Sequence, residues 1–226
     1  MAKLSEYAII VAGGSGSRMQ HELPKQFIEV AGKPILMHTI ERFYKYDPAV
    51  RMIVVLPQEQ LTTWRELCRK HTFKIFHMTV AGGATRFQSV KNGLGAVMGD
   101  GLIAVHDGVR PFVEIETIKA AFETAEKFGS SVVAVSPKDS IRELTDEGSR
   151  AVPRAKYKLV QTPQCFKVDI LRKAYEQTEQ ESFTDDASVV ESIGERITLV
   201  EGNYRNIKIT TPEDLILAEA FAKDDM

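Results

Sequence analysis

Four short, mainly apolar runs limit this chain more than any other feature: residues 7–11 (Tyr-Ala-Ile-Ile-Val), 52–56 (Met-Ile-Val-Val-Leu), 102–106 (Leu-Ile-Ala-Val-His) and 131–135 (Ser-Val-Val-Ala-Val). None alternates apolar with polar residues. Strands of that kind are buried on both faces and belong to parallel sheets covered by helices on either side. Helical spacing fills the intervals. Ile35, Leu36, Ile40 and Phe43 follow helical spacing over 34–44, and Pro34 suits a first helical turn. Further helices are expected over 58–70, 86–97, 115–128, 168–177, 186–192 and 212–222, and further strands over 74–80 and 197–200. The pattern predicts an α/β fold, a mostly parallel sheet with helices on both faces. The 226 residues, 43% of them apolar, suit a single domain spanning 1–226.

Residues 138–158 break the rhythm. They are polar and charged, and offer no apolar helix face. Two readings fit: a protruding β-arm that turns around Asp146-Glu147-Gly148, or a mobile surface loop.

Ligands of parallel sheets bind beyond the carboxyl ends of the strands. The first such end carries Val11-Ala12-Gly13-Gly14-Ser15-Gly16-Ser17-Arg18, with Lys25 close behind in Leu23-Pro24-Lys25-Gln26. Small residues let backbone N–H groups converge on an anion. Arg18 as a planar fork and Lys25 as a mobile point charge can neutralise phosphate oxygens, which points to a nucleoside triphosphate. A glycine turn also serves simply to reverse the chain, so the loop alone leaves both readings open. It is not a P-loop, because no Gly-Lys-Ser/Thr closes it. It is not a dinucleotide fingerprint either, because Met19 stands where the third glycine belongs.

Four other segments place useful chemistry at strand ends. Gly82-Gly83 runs through Thr85-Arg86 to Ser89 and suits either the edge of a base or a plain helix start. Asp107 follows a strand in His106-Asp107-Gly108-Val109-Arg110. It suits Mg²⁺, which takes few protein carboxylates plus phosphate oxygens, or else it caps a helix. His106 reads as structural. Thr184-Asp185-Asp186-Ala187-Ser188 begins a helix whose N-terminus could also hold a phosphate. Lys208, in Asn206-Ile207-Lys208-Ile209, precedes the last helix and by itself reads as a surface lysine.

Bulk properties narrow the classes. With 29 basic and 31 acidic side chains the net charge is −2, which gives no general pull toward nucleic acid or anionic membranes. Cys68 and Cys165 lack metal-ligand spacing and read as reduced thiols of a cytoplasmic protein. No signal peptide or membrane-length apolar run is apparent.

Taken in order, G-G-S-G-S-R-M, P-K-Q, G-G-x-x-R-x-x-S-V, H-D-G-V-R-P, T-P-Q-x-F, T-D-D-A-S and N-I-K-I-T-T-P-E-D-L resemble the 2-C-methyl-D-erythritol 4-phosphate cytidylyltransferases over residues 8–220. The resemblance implies a Rossmann-like sheet of the nucleotide-diphospho-sugar-transferase type. It implies transfer of CMP from CTP to methylerythritol phosphate with Mg²⁺, in the non-mevalonate isoprenoid route. Ala12, Gly13, Gly14, Ser15, Gly16, Arg18 and Lys25 would hold the CTP phosphates. Gly83, Arg86, Ser89 and Gly108 would meet the rest of the nucleotide, and Asp107 the metal, phosphates and substrate. Arg110, Ser140, Arg154, Thr184 and Lys208 would hold methylerythritol phosphate, with Thr162 near the same pocket. The arm would swap across a homodimer, so that Ser140 and Arg154 serve the partner's site. Gly108 and Val109 stand where alanines are usual, Ala84 replaces an acidic residue, and Ser140 replaces threonine.

The implied reaction needs no general base, since a phosphate monoester's second pKa is about 6 and the nucleophile is already ionised. Arg18, Lys25 and Lys208 are the expected catalytic cations. Three alternatives remain at this stage: a ribitol 5-phosphate cytidylyltransferase, a nicotinamide-dependent Rossmann oxidoreductase, and a nucleotide-sensing module without catalysis. The oxidoreductase calls for an acidic residue ending the second strand, where Leu56-Pro57-Gln58 stands.

Overall fold

All four apolar runs enter one seven-stranded sheet, three of them side by side. In a computed structural model, which describes residues 4–13 and 23–224, its strands are β1 (Glu6–Val11), β4 (Arg51–Leu56), β5 (Met78–Ala81), β6 (Leu102–Asp107), β7 (Ser130–Val135), β10 (Leu159–Lys167) and β11 (Leu199–Glu201). Their order is β11-β7-β10-β6-β1-β4-β5. All run parallel except β10, which pairs antiparallel with both β6 and β7.

Strand alternation divides the core into two layers. Ala8 and Ile10 of β1, and Ala12 just beyond it, face one layer together with Met52, Val54 and Leu56 of β4. Helices α1 (Ile35–Tyr46), α2 (Leu61–Lys70) and α4 (Ile115–Phe128) cover that face through Leu36, Ile40 and Phe43, Trp64, and Ile118 and Phe122. Tyr7 and Ile9, with Ile53 and Val55, face the other layer, under α3 (Arg86–Gly95), α5 (Val168–Ala174) and α6 (Asp186–Glu191). Helix α7 (Pro212–Asp224) closes a third cluster with Ile28, Val109, Phe112 and Ile209. Helices lie on both faces, as the sequence pattern predicts.

Two features depart from expectation. β10 lies in the middle of the sheet, where no strand was expected. Its run Gln161-Thr162-Pro163-Gln164 is polar and contains a proline, which cannot donate to a ladder. The register shifts between Val160 and Gln164, and this irregularity accommodates Pro163. The third strand begins at Met78 rather than near residue 74. A small hairpin of β2 (Glu29–Val30) and β3 (Lys33–Pro34) also precedes α1.

Of the two readings of residues 138–158, the structure has the hairpin. Strands β8 (Ile141–Thr145) and β9 (Gly148–Val152) form their own two-stranded sheet, unpaired with the main one. Among the described residues no helix is long and apolar enough to cross a membrane.

Candidate active site

Because β1, β4, β5 and β6 run parallel, their carboxyl ends share one edge. A cavity of about 370 Å³ opens there, lined by Val11, Ala12, Gly13, Lys25, Gln26, Gly83, Ala84, Thr85, Arg86, Ser89, Asp107, Val109 and Lys208. Three cations and one carboxylate line it, so its local charge is opposite to that of the whole chain.

Asp107 is the last residue of β6 and is 7% exposed. Its Oδ2 accepts from Arg110 Nε at 3.1 Å and pairs with Lys208 Nζ at 3.1 Å. Burial alone would push its pKa up. The charges of Lys208, then Arg110, then Arg86 outweigh burial and hold the carboxyl well below the usual carboxylate range.

A buried relay sets this arrangement. The Asp107 amide donates to Thr162 Oγ1 at 3.0 Å, and Thr162 Oγ1 lies 3.0 Å from His106 Nδ1. His106 Nε2 lies 3.1 Å from the Arg110 carbonyl. The Arg110 carbonyl can only accept, so the ring carries its proton on Nε2 and the threonine hydroxyl donates to Nδ1. Burial is the main cause that lowers the His106 pKa to about 4 from an ordinary 6.5. The folded chain therefore resists protonation that the unfolded chain accepts. Stability held above pH 6.5 is lost as the pH falls toward 4, by up to about 3 kcal/mol for this group. His38 and His77 shift in the same direction, so the His106 share must be isolated. An NMR titration of the ring should find His106 neutral down to about pH 4. A midpoint near 6.5 would contradict the relay.

On the opposite wall, Thr85 caps α3 by accepting from the Gln88 amide. Ser89 Oγ accepts from the Gly83 amide at 3.1 Å and donates to the Thr85 carbonyl at 2.8 Å. The serine hydroxyl therefore shapes the glycine turn. A Cβ on Gly83 would lie 2.4 Å from Gln88 Cβ, so the turn admits glycine alone. A Cβ on Gly108 would come within 2.9 Å of Ala12 Cβ, so the backbone here leaves a side chain no room without a shift.

Arg86 lines the cavity, but its guanidinium is held bidentately by wholly buried Asp186, at 3.0 and 2.6 Å. Tyr175 donates to the same carboxylate at 2.7 Å. Burial would discharge Arg86; the Asp186 charge outweighs it and keeps the cation. Lys25 starts a single 3-10 turn, Lys25–Phe27. Phe27 stacks on Trp64 with centroids 5.9 Å apart, and Gln26 Nε2 donates to the Ala12 carbonyl at 2.8 Å.

The structure thus brings Ala12, Gly13, Lys25, Gly83, Arg86, Ser89, Asp107 and Lys208 to one cavity, with Gly108, Arg110 and Thr162 directly behind Asp107. Gly14, Ser15, Gly16 and Arg18 lie outside the described residues. Ser140, Arg154 and Thr184 are exposed and are not among the cavity-lining residues of their own chain. Sequence reasoning missed Gln26, Asp186 and Asn206. The only signal was position, beside Lys25, Thr184 and Lys208.

A protein-family model described as IspD, 2-C-methyl-D-erythritol 4-phosphate cytidylyltransferase, matches residues 7–224. The chain belongs to this cytidylyltransferase family. Among its relatives, the 2-C-methyl-D-erythritol 4-phosphate cytidylyltransferase of Bacteroides thetaiotaomicron is 52% identical over 217 residues, which cover 96% of this chain and 99% of that protein. The protein of the same name from Bacteroides fragilis is 53% identical over 213 residues, covering 94% and 97%. The solved structure of 4-diphosphocytidyl-2C-methyl-D-erythritol synthase from Anaerococcus prevotii superposes with a TM-score of 0.84 at 30% identity, covering 97% of this chain and 96% of that one. Membership in the family sets aside the ribitol phosphate, oxidoreductase and sensor alternatives.

Proposed function

We propose that this cavity binds CTP and 2-C-methyl-D-erythritol 4-phosphate and joins them into 4-diphosphocytidyl-2-C-methyl-D-erythritol. The observation that supports the assignment of roles is the meeting of Lys25 and Lys208 in one cavity around Asp107. An oxygen of the acceptor phosphate attacks the α-phosphorus of CTP. The bond from that phosphorus to the bridging oxygen breaks, and its electron pair leaves with pyrophosphate. The nucleophile needs no base, and His106, with both ring nitrogens engaged, offers none. The chain's task is to align two polyanions and offset their charge. In our reading Lys25, with Arg18, holds the triphosphate. The Gly83 turn takes the base, and Lys208 with Arg110 takes the acceptor phosphate.

A divalent cation suits Asp107. Both contacts of the carboxylate fall on Oδ2, and Oδ1 has no partner among the described residues. Among those residues no group of three or more His, Cys, Asp or Glu gathers. Mg²⁺ with one carboxylate and nucleotide phosphates matches that donor set. Bound there, the ion would neutralise charge on the departing pyrophosphate.

We further propose that the β8–β9 arm completes the site of a second copy in a homodimer. Its Leu144 is 84% exposed, and Leu159 and Tyr157 beside it are also exposed, so the arm buries little apolar surface on its own chain. Two free thiols, Cys68 and Cys165, favour the cytoplasm as the setting.

The deciding experiment incubates the purified chain with CTP and Mg²⁺ plus either methylerythritol phosphate or ribitol 5-phosphate. Pyrophosphate release and the cytidylyl product are measured. Release with methylerythritol phosphate is expected; preference for ribitol phosphate, or no release with either, would overturn the reading.

A further inference from the structure

Lys208 lies on a stretch without regular structure between β11 and α7. A lysine there has no helix or ladder to aim it. Two neighbours do that work. Ile209, fully buried, donates its amide to the Val109 carbonyl at 3.0 Å. Asn206, 1% exposed, reaches the other way. Its Nδ2 donates to the Thr162 carbonyl at 2.8 Å and to Gln161 Oε1 at 3.3 Å, while its own carbonyl accepts from Arg110 Nη1 at 2.8 Å. Asn206 therefore ties together the β10 irregularity that carries Thr162, the arginine that contacts Asp107, and the backbone two residues before Lys208. Its Oδ1 is buried without a partner among the described residues. A buried polar atom left unpaired is costly, and native chains keep few of them.

We propose that Asn206 is a positioning residue, acting through Lys208 to keep that cation on Asp107 and aimed at the acceptor phosphate. No contact between Asn206 and substrate is required. The essential property is its pair of donors, not its size. Asn206→Asp keeps the shape but sets a carboxylate oxygen against two acceptors, so it should fail as Asn206→Ala does.

The test has two parts. In protein labelled with ¹⁵N-lysine, the Lys208 Nζ signal, assigned with Lys208→Arg, should shift in Asn206→Asp as its pairing with Asp107 is loosened, while the rest of the spectrum stays folded. The second part rests on the cytidylyl-transfer reading. Asn206→Asp should lower kcat/KM by roughly tenfold or more in the native background and by roughly threefold or less beside Lys208→Ala, the non-additivity expected when one residue acts through another. An unmoved Lys208 signal, or losses that multiply, would overturn the proposal. Because the Lys208 signal needs no substrate, a native chain without transferase activity would instead count against the functional reading.

Discussion

Replacing Lys25 by alanine should lower kcat for cytidylyl transfer by on the order of 10²- to 10³-fold, the range for losing one pre-placed charge donor at a transition state. The effect should be chemical rather than structural. The 3-10 turn that carries Lys25 is held by its neighbours: Phe27 stacks on Trp64 in the core, and Gln26 bonds the Ala12 carbonyl. Neither anchor involves the Lys25 ammonium. The thermal midpoint should therefore change by no more than a few degrees. Turnover within threefold of the native chain would remove Lys25 from the mechanism. The same variant tests the arm. Lys25→Ala and Arg154→Ala proteins, each nearly inactive alone, should regain about a quarter of native activity when mixed and allowed to exchange subunits. In a mixed dimer one site then carries Lys25 from one chain and Arg154 from the other. No recovery after verified exchange would show that the arm serves its own chain.

Replacing Asp107 by asparagine should damage both stability and turnover. Its carboxylate compensates Lys208 and Arg110, each at 3.1 Å, and Arg110 is only 12% exposed. Removing one partner of a buried charge cluster leaves cations that nothing offsets, at a cost of about 2–4 kcal/mol after allowing for the partial exposure of Lys208. Urea unfolding at neutral pH measures that loss. Turnover should fall by on the order of 10²-fold, with a rise of roughly tenfold in the Mg²⁺ concentration needed for half-maximal rate. Binding of metal-free CTP should not weaken, because the variant cavity is more positive. A normal Mg²⁺ dependence would take the metal away from Asp107 while leaving its role as counter-ion.

Much of this arrangement is legible in the chain before folding. Residues 7–11, 52–56, 102–106 and 131–135 announce buried strands because both faces of each are apolar. Their alternation with amphipathic stretches leaves a covered parallel sheet as the natural outcome. Glycine turns and charged residues at the ends of those strands then mark the ligand edge. β10 was hidden for a physical reason. A central strand that carries Gln161, Thr162 and Gln164 satisfies its polar side chains through partners far away in sequence, such as Asn203, Asp107 and Asp185. Local pattern cannot register a hydrogen bond made 55 residues away. Arg86 illustrates the same limit. The family resemblance sets it against the nucleotide, whereas folding also sets the buried Asp186 carboxylate against it.

Local order of residue types therefore settled the four apolar strands, the helices between them and which edge of the sheet is chemical, since burial and backbone preference act over a few neighbouring positions. Which charges meet was decided only by the folded chain. Asp107, Arg110 and Lys208 come from two distant segments, and their pairing depends on the antiparallel strand and on the Asn206 anchor that bring those segments together. Coulomb interactions and hydrogen bonds depend on distance in space, and distance in space is set by tertiary packing rather than by spacing along the chain.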